Sequence, residues 1–419
     1  MRSLILPTLL LLSAAFAQAA TVPPHMDLEM SSAEYEALIA QEQKTQGGNQ
    51  KVMDALQVVV DFGKRNLDWL KFMNGSRPED AKLSFSSAAT ATGTPIDAPS
   101  EYNETIVLDK FRKLLDELPP EMKSILQNGA AFTQNPPIEE KSYLDFGRKI
   151  DRLYQTANRW RLMQPYLEYL AARKAMDVRG YYFLNKENEL AQKLQNFSAM
   201  PEVDKAKYKE WLLELCLNDQ RNDLKACQDK FDSSLQTQKL FDFFKTNFAA
   251  GKAMYEHFFL IPRIRTDVIW TTTNLFQIPF THPDNLSIEN FLRDNIEDEW
   301  KLNDWHLRLN FQAANDTDDY TTHVEFEPGA LPHVNEVAGS IITMDANAPL
   351  TEYDVRWTIR HEFGHVLGFV DCYIEFYDSS RAAIVQYQLD LDNLMCSRKG
   401  HLQQIHFDQL KKNYFSTKH

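Results

Sequence analysis

Residues 361–371, HEFGHVLGFVD, constrain this chain more tightly than any other stretch. On an α-helix each residue turns by ~100°, so residues four apart return to one face. His361 and His365 therefore project together. Neutral imidazoles at that spacing bind one Zn²⁺ at ~2.0–2.1 Å each. Glu362 lies on the adjoining face, where it reaches a water at the metal without being a ligand. A catalytic zinc needs a third protein ligand and keeps one position open. Asp371 follows His361 by ten residues, which on an unbroken helix is ~15 Å along the axis. The chain must turn back, and Gly368 stands where the turn is needed, because glycine accepts a left-handed helix end. The pattern predicts one catalytic Zn²⁺ on His361, His365 and Asp371, with Glu362 as the base.

The rest of the chain frames that site. Its 419 residues predict two or three units, since domains usually run ~100–200 residues. Arg2, an apolar run from Leu4 to Phe16 and Ala17-Gln18-Ala19 read as a cleavable signal peptide, residues 1–19, so the mature protein is expected outside the cytoplasm, secreted or periplasmic. No later run reaches the ~20 apolar residues of a membrane span. A net charge of −14 repels phosphate backbones and argues against nucleic acid as a partner.

Residues 20–245 read as a mainly helical domain, with apolar residues at helical spacing in 51–72, 143–174, 206–217 and 223–247. Between the first two, SSAATATGTPIDAPS at 86–100 reads as an exposed loop. Residues 246–419 read as an α+β domain. They comprise an amphipathic helix at 286–300 with Ser287 as N-cap and strands at 305–312, 322–329 and 339–346. The motif helix starts at a capping-box-like Thr351–Asp354, and a tail helix covers 406–415. Four cysteines allow three pairings. Export favours disulfides, and the neighbour pairing Cys216–Cys227 with Cys372–Cys396 is preferred over buried free thiols. Asn103-Glu-Thr is a glycosylation sequon.

HEFGHVLGFVD followed by DNLMCS at 392–397 resembles the metzincin clan of zinc endopeptidases, whose pattern is H-E-x-x-H-x-x-G-x-x-H and a Met-turn. Asp371 in the third ligand position resembles the snapalysin-like, Asp-ligand variant. The resemblance covers 250–419 and implies a zincin-like catalytic domain: a twisted sheet, an active-site helix and a C-terminal helix. It makes Met395 the Met-turn residue, EPGALPHV at 327–334 the upper-rim edge strand, and GSIITMDA the strand beside it. Some metzincins carry a tyrosine two residues after the methionine. Here that position is Ser397, and Tyr373 is the substitute for oxyanion stabilisation.

The expected activity is peptide-bond hydrolysis in a secreted zinc endopeptidase, with Glu362 as general base and an extended peptide substrate added as a strand along 327–334. The rival reading is a secreted binding protein whose helical domain is functional and whose zinc site is inactive or structural. Another reading makes Glu375 the third ligand in place of Asp371. Smaller alternatives are a second metal on His323 and His333, and Cys216 or Cys227 as a zinc-blocking thiol. Residues 20–245 are expected either as a removed pro-segment or as a permanent domain.

Overall fold

The helical half is built from helices that each bury one stripe. A computed structural model describes residues 22–45, 55–86, 93–272, 274–313 and 320–415; the signal peptide lies outside them. Helices α1 (Ser32–Thr45), α2 (Gln57–Asn74), α3 (Glu104–Glu117), α4 (Pro120–Leu126) and α5 (Glu140–Met163) pack round a first core. On α2 the buried residues include Phe62, Asn66, Trp69 and Met73, spaced three to four apart, so one face meets α5. The apolar run 143–174 is not one helix. Pro165 lacks an N–H, and the chain passes through single 3₁₀ turns before and after α6 (Leu167–Ala172). A second core is formed by α7 (Arg179–Lys186), α8 (Leu190–Gln195), α9 (Glu202–Leu217), α10 (Leu224–Gln236) and α11 (Leu240–His257). The run 223–247 breaks at Gln238, whose φ is 55°, and α11 continues through the expected boundary at 245/246.

The expected exposed loop at 86–100 needs correction. Residues 87–92 lie outside the described chain, but Ile96 is buried in the core of the other half. The Thr94 carbonyl accepts from the Gln388 N–H at 2.7 Å. Strand β1 (Ser100–Tyr102) then joins a three-stranded antiparallel sheet with β9 (Tyr373–Asp378) and β10 (Ala383–Gln388), in the order β1-β10-β9. Local composition marks turns, but the strand's partner lies nearly three hundred residues away. The Asn103 sequon serves a structural end too. Its side chain caps α3 by accepting from the Ile106 N–H at 2.8 Å.

The second half is mixed α/β with small sheets. Strands β2 (Ile269–Thr272), β3 (Leu275–Thr281), β4 (Lys301–Leu302) and β5 (Trp305–Gln312) form one sheet, ordered β2-β3-β5-β4, with β3 and β5 parallel. Strands β6 (His323–Glu327), β7 (His333–Val334) and β8 (Ile341–Asp345) form another, ordered β6-β8-β7, with β7 antiparallel at the edge; the edge strand expected at 327–334 is cut to those two residues of β7, because the chain turns at Gly329, φ +72°, where the Ala330 N–H donates to the Glu327 carbonyl at 3.2 Å. A bridge between Phe280 and Thr322 ties the two sheets. The helix expected at 286–300 becomes α12 (Leu286–Leu292) followed by a π-helical turn at 293–297. Its cap is Asn285, one residue outside the predicted segment, which accepts from the Ser287 N–H. Helix α13 (Tyr353–Val366) carries the motif and begins at Glu352 without a side-chain cap, so the capping box at Thr351 does not form. Helix α14 (Gln404–Tyr414) closes the chain. Among the described residues no helix is long and apolar enough to cross a membrane.

Candidate metal centre

Helix α13 is buried on nearly every side, with Ile359, Phe363 and Val366 in the core. It can carry polar residues there because they are used. It ends in a Schellman turn: the Gly368 N–H donates to the His365 carbonyl and the Phe369 N–H to the Gly364 carbonyl, both at 3.0 Å. Gly368 sits at φ +93°, and a Cβ there would lie 2.1 Å from the Arg263 carbonyl oxygen. Conformation and space both demand glycine.

The turn brings Asp371 back over the helix. Asp371 Oδ1 lies 3.1 Å from His361 Nε2 and 3.3 Å from His365 Nε2, and the two Nε2 atoms are 3.2 Å apart. Two ligands at ~2.0–2.1 Å from a tetrahedral zinc lie ~3.3 Å from each other, so the triangle has the size of one face of a zinc tetrahedron. The tautomers agree. His361 Nδ1 faces the Leu394 carbonyl at 3.2 Å and His365 Nδ1 faces the Phe369 carbonyl at 2.9 Å. Each Nδ1–H is therefore the donor, and each Nε2 turns a lone pair toward the other and toward Asp371. Three lone pairs aimed at one point are stable only around positive charge. The titration behaviour reflects this. Burial opposes protonation of His365, yet the Asp371 carboxylate pushes its pKa up to about 10. His361 is also raised, and Asp371 is held well below the usual carboxylate range by the two rings despite its burial. The residues fit a dication.

Glu362 is fully buried, and neither of its oxygens has a hydrogen-bond partner among the described residues. Burial raises its pKa. Beneath the site Met395 is 2% exposed, and a Cβ on Gly364 would lie 2.2 Å from its sulfur. The Asn393 side chain accepts from the Met395 N–H at 2.8 Å. Trp357 stacks on the His361 ring, centroids 4.6 Å apart, and its indole N–H reaches the Ser397 carbonyl at 2.9 Å. Cys372–Cys396 links the segment after Asp371 to the segment after Met395, and Cys216–Cys227 closes the second helical core. Both cysteines offered as a zinc-blocking thiol are thereby consumed.

Other expected residues fall elsewhere. Glu375 is taken by Arg159, whose Nε and Nη2 donate to it at 2.6 and 2.8 Å, and by the Tyr102 hydroxyl. It is thus spoken for as an ion-pair partner. His323 and His333 lie on β6 and β7, on either side of β8; His323 faces Glu325 and His333 the Leu331 carbonyl. They belong to none of the metal-sized clusters among the described residues. The Tyr373 hydroxyl points at a residue outside the motif: it donates to Asp27 Oδ1 at 3.0 Å. Asp27 and His25 both bring ligand atoms into the cluster. The sequence signal was a His-x-Asp pair in HMDLEM, too short for periodicity to flag. Beside Asp371 opens a cavity of about 420 Å³, walled by the N-terminal residues 22–26 and by Met163, Arg173, Phe258, Tyr373 and Glu375. No known protein family, curated protein or solved structure matches the chain.

Proposed function

We propose that this chain is a secreted zinc endopeptidase of the metzincin-like, Asp-ligand kind, with His361, His365 and Asp371 as ligands and Glu362 as general base. The observation that carries the reading is the 3.1, 3.2 and 3.3 Å triangle of Nε2, Nε2 and Oδ1 beside a buried, unpartnered glutamate. Met395 under the helix, the edge strand β7 and the placement of α14 support the metzincin-like fold. The two disulfides support an oxidising location.

Zinc held there supplies Lewis acidity toward a carbonyl oxygen and lowers the pKa of a water. Glu362 takes a proton from the attacking water as oxygen adds to the scissile carbon, and delivers it to the leaving amine as the C–N bond breaks. Its burial suits the task, because a raised pKa keeps the proton long enough to hand it on. The substrate backbone pairs with the edge of the sheet at β7.

The test uses purified protein with its zinc content measured. Wild type and Glu362→Ala are incubated with casein and a fluorogenic peptide library, with and without a chelator. Cleavage lost both on chelation and in Glu362→Ala is expected. Equal cleavage by the two proteins, or cleavage that survives the chelator, overturns the reading and favours the binding-protein alternative.

A further inference from the structure

We propose that a cavity between helix α5 and strand β10 is a second binding site, which takes the C-terminal end of a short peptide: its free carboxylate and the amide N–H before it. The site stands whether or not the metal centre is catalytic.

Strand β10 lies between the two halves. Val385 and Tyr387 enter the core of the second half, and Ile384, on the other face, enters the first helical core. A strand covered on both faces is expected to stay apolar. Instead Gln386 and Gln388 follow Ile384 on the helical side, at the two-residue spacing that keeps side chains on one face. Helix α5 faces them with a polar stripe, Arg148, Asp151, Gln155 and Arg159, at three- to four-residue spacing. A cavity of about 430 Å³ opens between strand and helix, and these side chains line it. That is far more than the ~30 Å³ share of one water and lies within the ~300–1,000 Å³ of small-molecule sites.

Most charges around the cavity are already paired. Arg159 is held by Glu375, Asp151 by Ser32 and Gln155, and Arg398, also on the wall, by Glu34 and Asp354. What is left over selects the ligand. Gln388 is 1% exposed; its Oε1 accepts the Thr94 N–H, but its Nε2 has no partner among the described residues. Nor have the buried Oε1 of Gln386 and the buried Nε atoms of Arg148 and Arg398. Buried polar atoms in that state are costly until something fills them. Three donors, two of them cationic, stand against one acceptor. A carboxylate offers about four lone-pair sites to the donors, and its charge strengthens the bonds to arginine. The preceding amide N–H then meets the Gln386 oxygen. A bare carboxylate leaves Gln386 unmet, and an amine meets the arginines with like charge. Leu67, Leu70 and Phe85 wall the same cavity and suit an apolar last side chain.

The experiment titrates the full chain in a calorimeter with acetyl-Ala-Leu as the free acid, with the same compound as its C-terminal amide, and with acetate. The free acid is expected to bind at millimolar concentration or below and to raise the unfolding midpoint. The amide lacks the charge and acetate lacks the N–H, so each should bind at least ~10-fold more weakly. Arg148→Met, whose guanidinium otherwise pairs outward with Asp145 at 3.4 Å, should abolish the preference for acid over amide. Gln386→Met should abolish the preference for the peptide acid over acetate. Wild type that binds no free acid, or binds acid and amide alike, overturns the site without needing any variant to fold. Preferences that either folded variant leaves unchanged put the peptide elsewhere, the metal centre included, and overturn it too.

Discussion

Two glutamates, thirteen residues apart, are almost equally buried: Glu362 at 0% and Glu375 at 5% exposure. Their surroundings are opposite. Arg159 meets Glu375 with two N–H groups and Tyr102 adds a third donor. Although burial pushes its pKa up, Arg159 overrides this and holds the group ionised. Glu362 has no hydrogen-bond partner among the described residues, and burial raises its pKa against the opposing pull of His365 and His361. A carboxylate that is fully satisfied contributes a joint between the two halves of the molecule. One that is left unsatisfied costs stability and is free to exchange a proton. Partners, and not burial, separate the two roles.

Removing Glu362 should give the largest effect. Glu362→Gln is expected to lower peptide turnover by about 10²–10⁴-fold with zinc content unchanged. Its unfolding midpoint should be equal to or above that of wild type, because a neutral amide replaces a buried carboxyl that lacks a partner. A large fall in stability would mean that Glu362 is a joint like Glu375 and would collapse the contrast.

Glu375→Ala should do the reverse. It leaves Arg159 buried and unpaired, which costs roughly 3–5 kcal/mol, read by denaturant unfolding. The protein that remains folded should keep one zinc. Adding Arg159→Met to Glu375→Leu should recover most of the loss, since a well-packed apolar pair replaces an ion pair at little cost. Zinc lost from folded Glu375→Ala would return that residue to the ligand set in place of Asp371.

The contrast between the two glutamates was only half legible in the sequence. His361, Glu362, His365, Gly368 and Asp371 are held together by local geometry, a helix turn and a reversal, so their spacing carried the information. Met395 and the pairing of Cys372 with Cys396 lie close enough along the chain for motif order to place them. Arg159 and Asp27 were not legible, because each acts across a long separation. Arg159 reaches Glu375 over 216 residues and Tyr373 reaches Asp27 over 346. One clue existed for the first: an arginine standing among Tyr154, Ala157 and Trp160 on the buried face of α5. A cation on an apolar stripe asks for a buried anion. For β1 the composition predicts an exposed loop and misses the strand, because strand pairing depends on a partner that local sequence does not name.

A third buried group tests the comparison from the neutral side. His406 receives the Gln403 N–H on Nδ1 at 2.9 Å, so its Nε2–H donates to Asn393 Oδ1 at 3.0 Å, the atom that also holds the Met395 N–H. Burial pushes its pKa down to about 4. The folded state thus excludes a proton that the unfolded state takes up near pH 6.5. His406 stabilises fully above that pH, and the contribution is lost as pH falls toward 4, by ~3 kcal/mol in all. Asp151, raised to about 6 by burial, acts in the opposite sense over much of the same range. The readout is therefore the difference between wild type and His406→Gln, which should shrink by about that amount between pH 7 and 4. A constant difference would mean that His406 titrates normally.

Gly364→Ala should have the smallest effect and separates support of the site from its chemistry. Alanine is the better helix former by up to ~1 kcal/mol, so on a free helix face the change would stabilise. Here the new Cβ would lie 2.2 Å from the Met395 sulfur and 3.3 Å from the Trp300 ring. Met395 has flexible torsions and can swing away, but it is 2% exposed and the turn around it is held by Asn393. The net expectation is a loss of about 1–3 kcal/mol in denaturant unfolding, with zinc retained. Stabilisation would mean that Met395 does not press against the helix. α13 would then not be held from below by the turn around Met395.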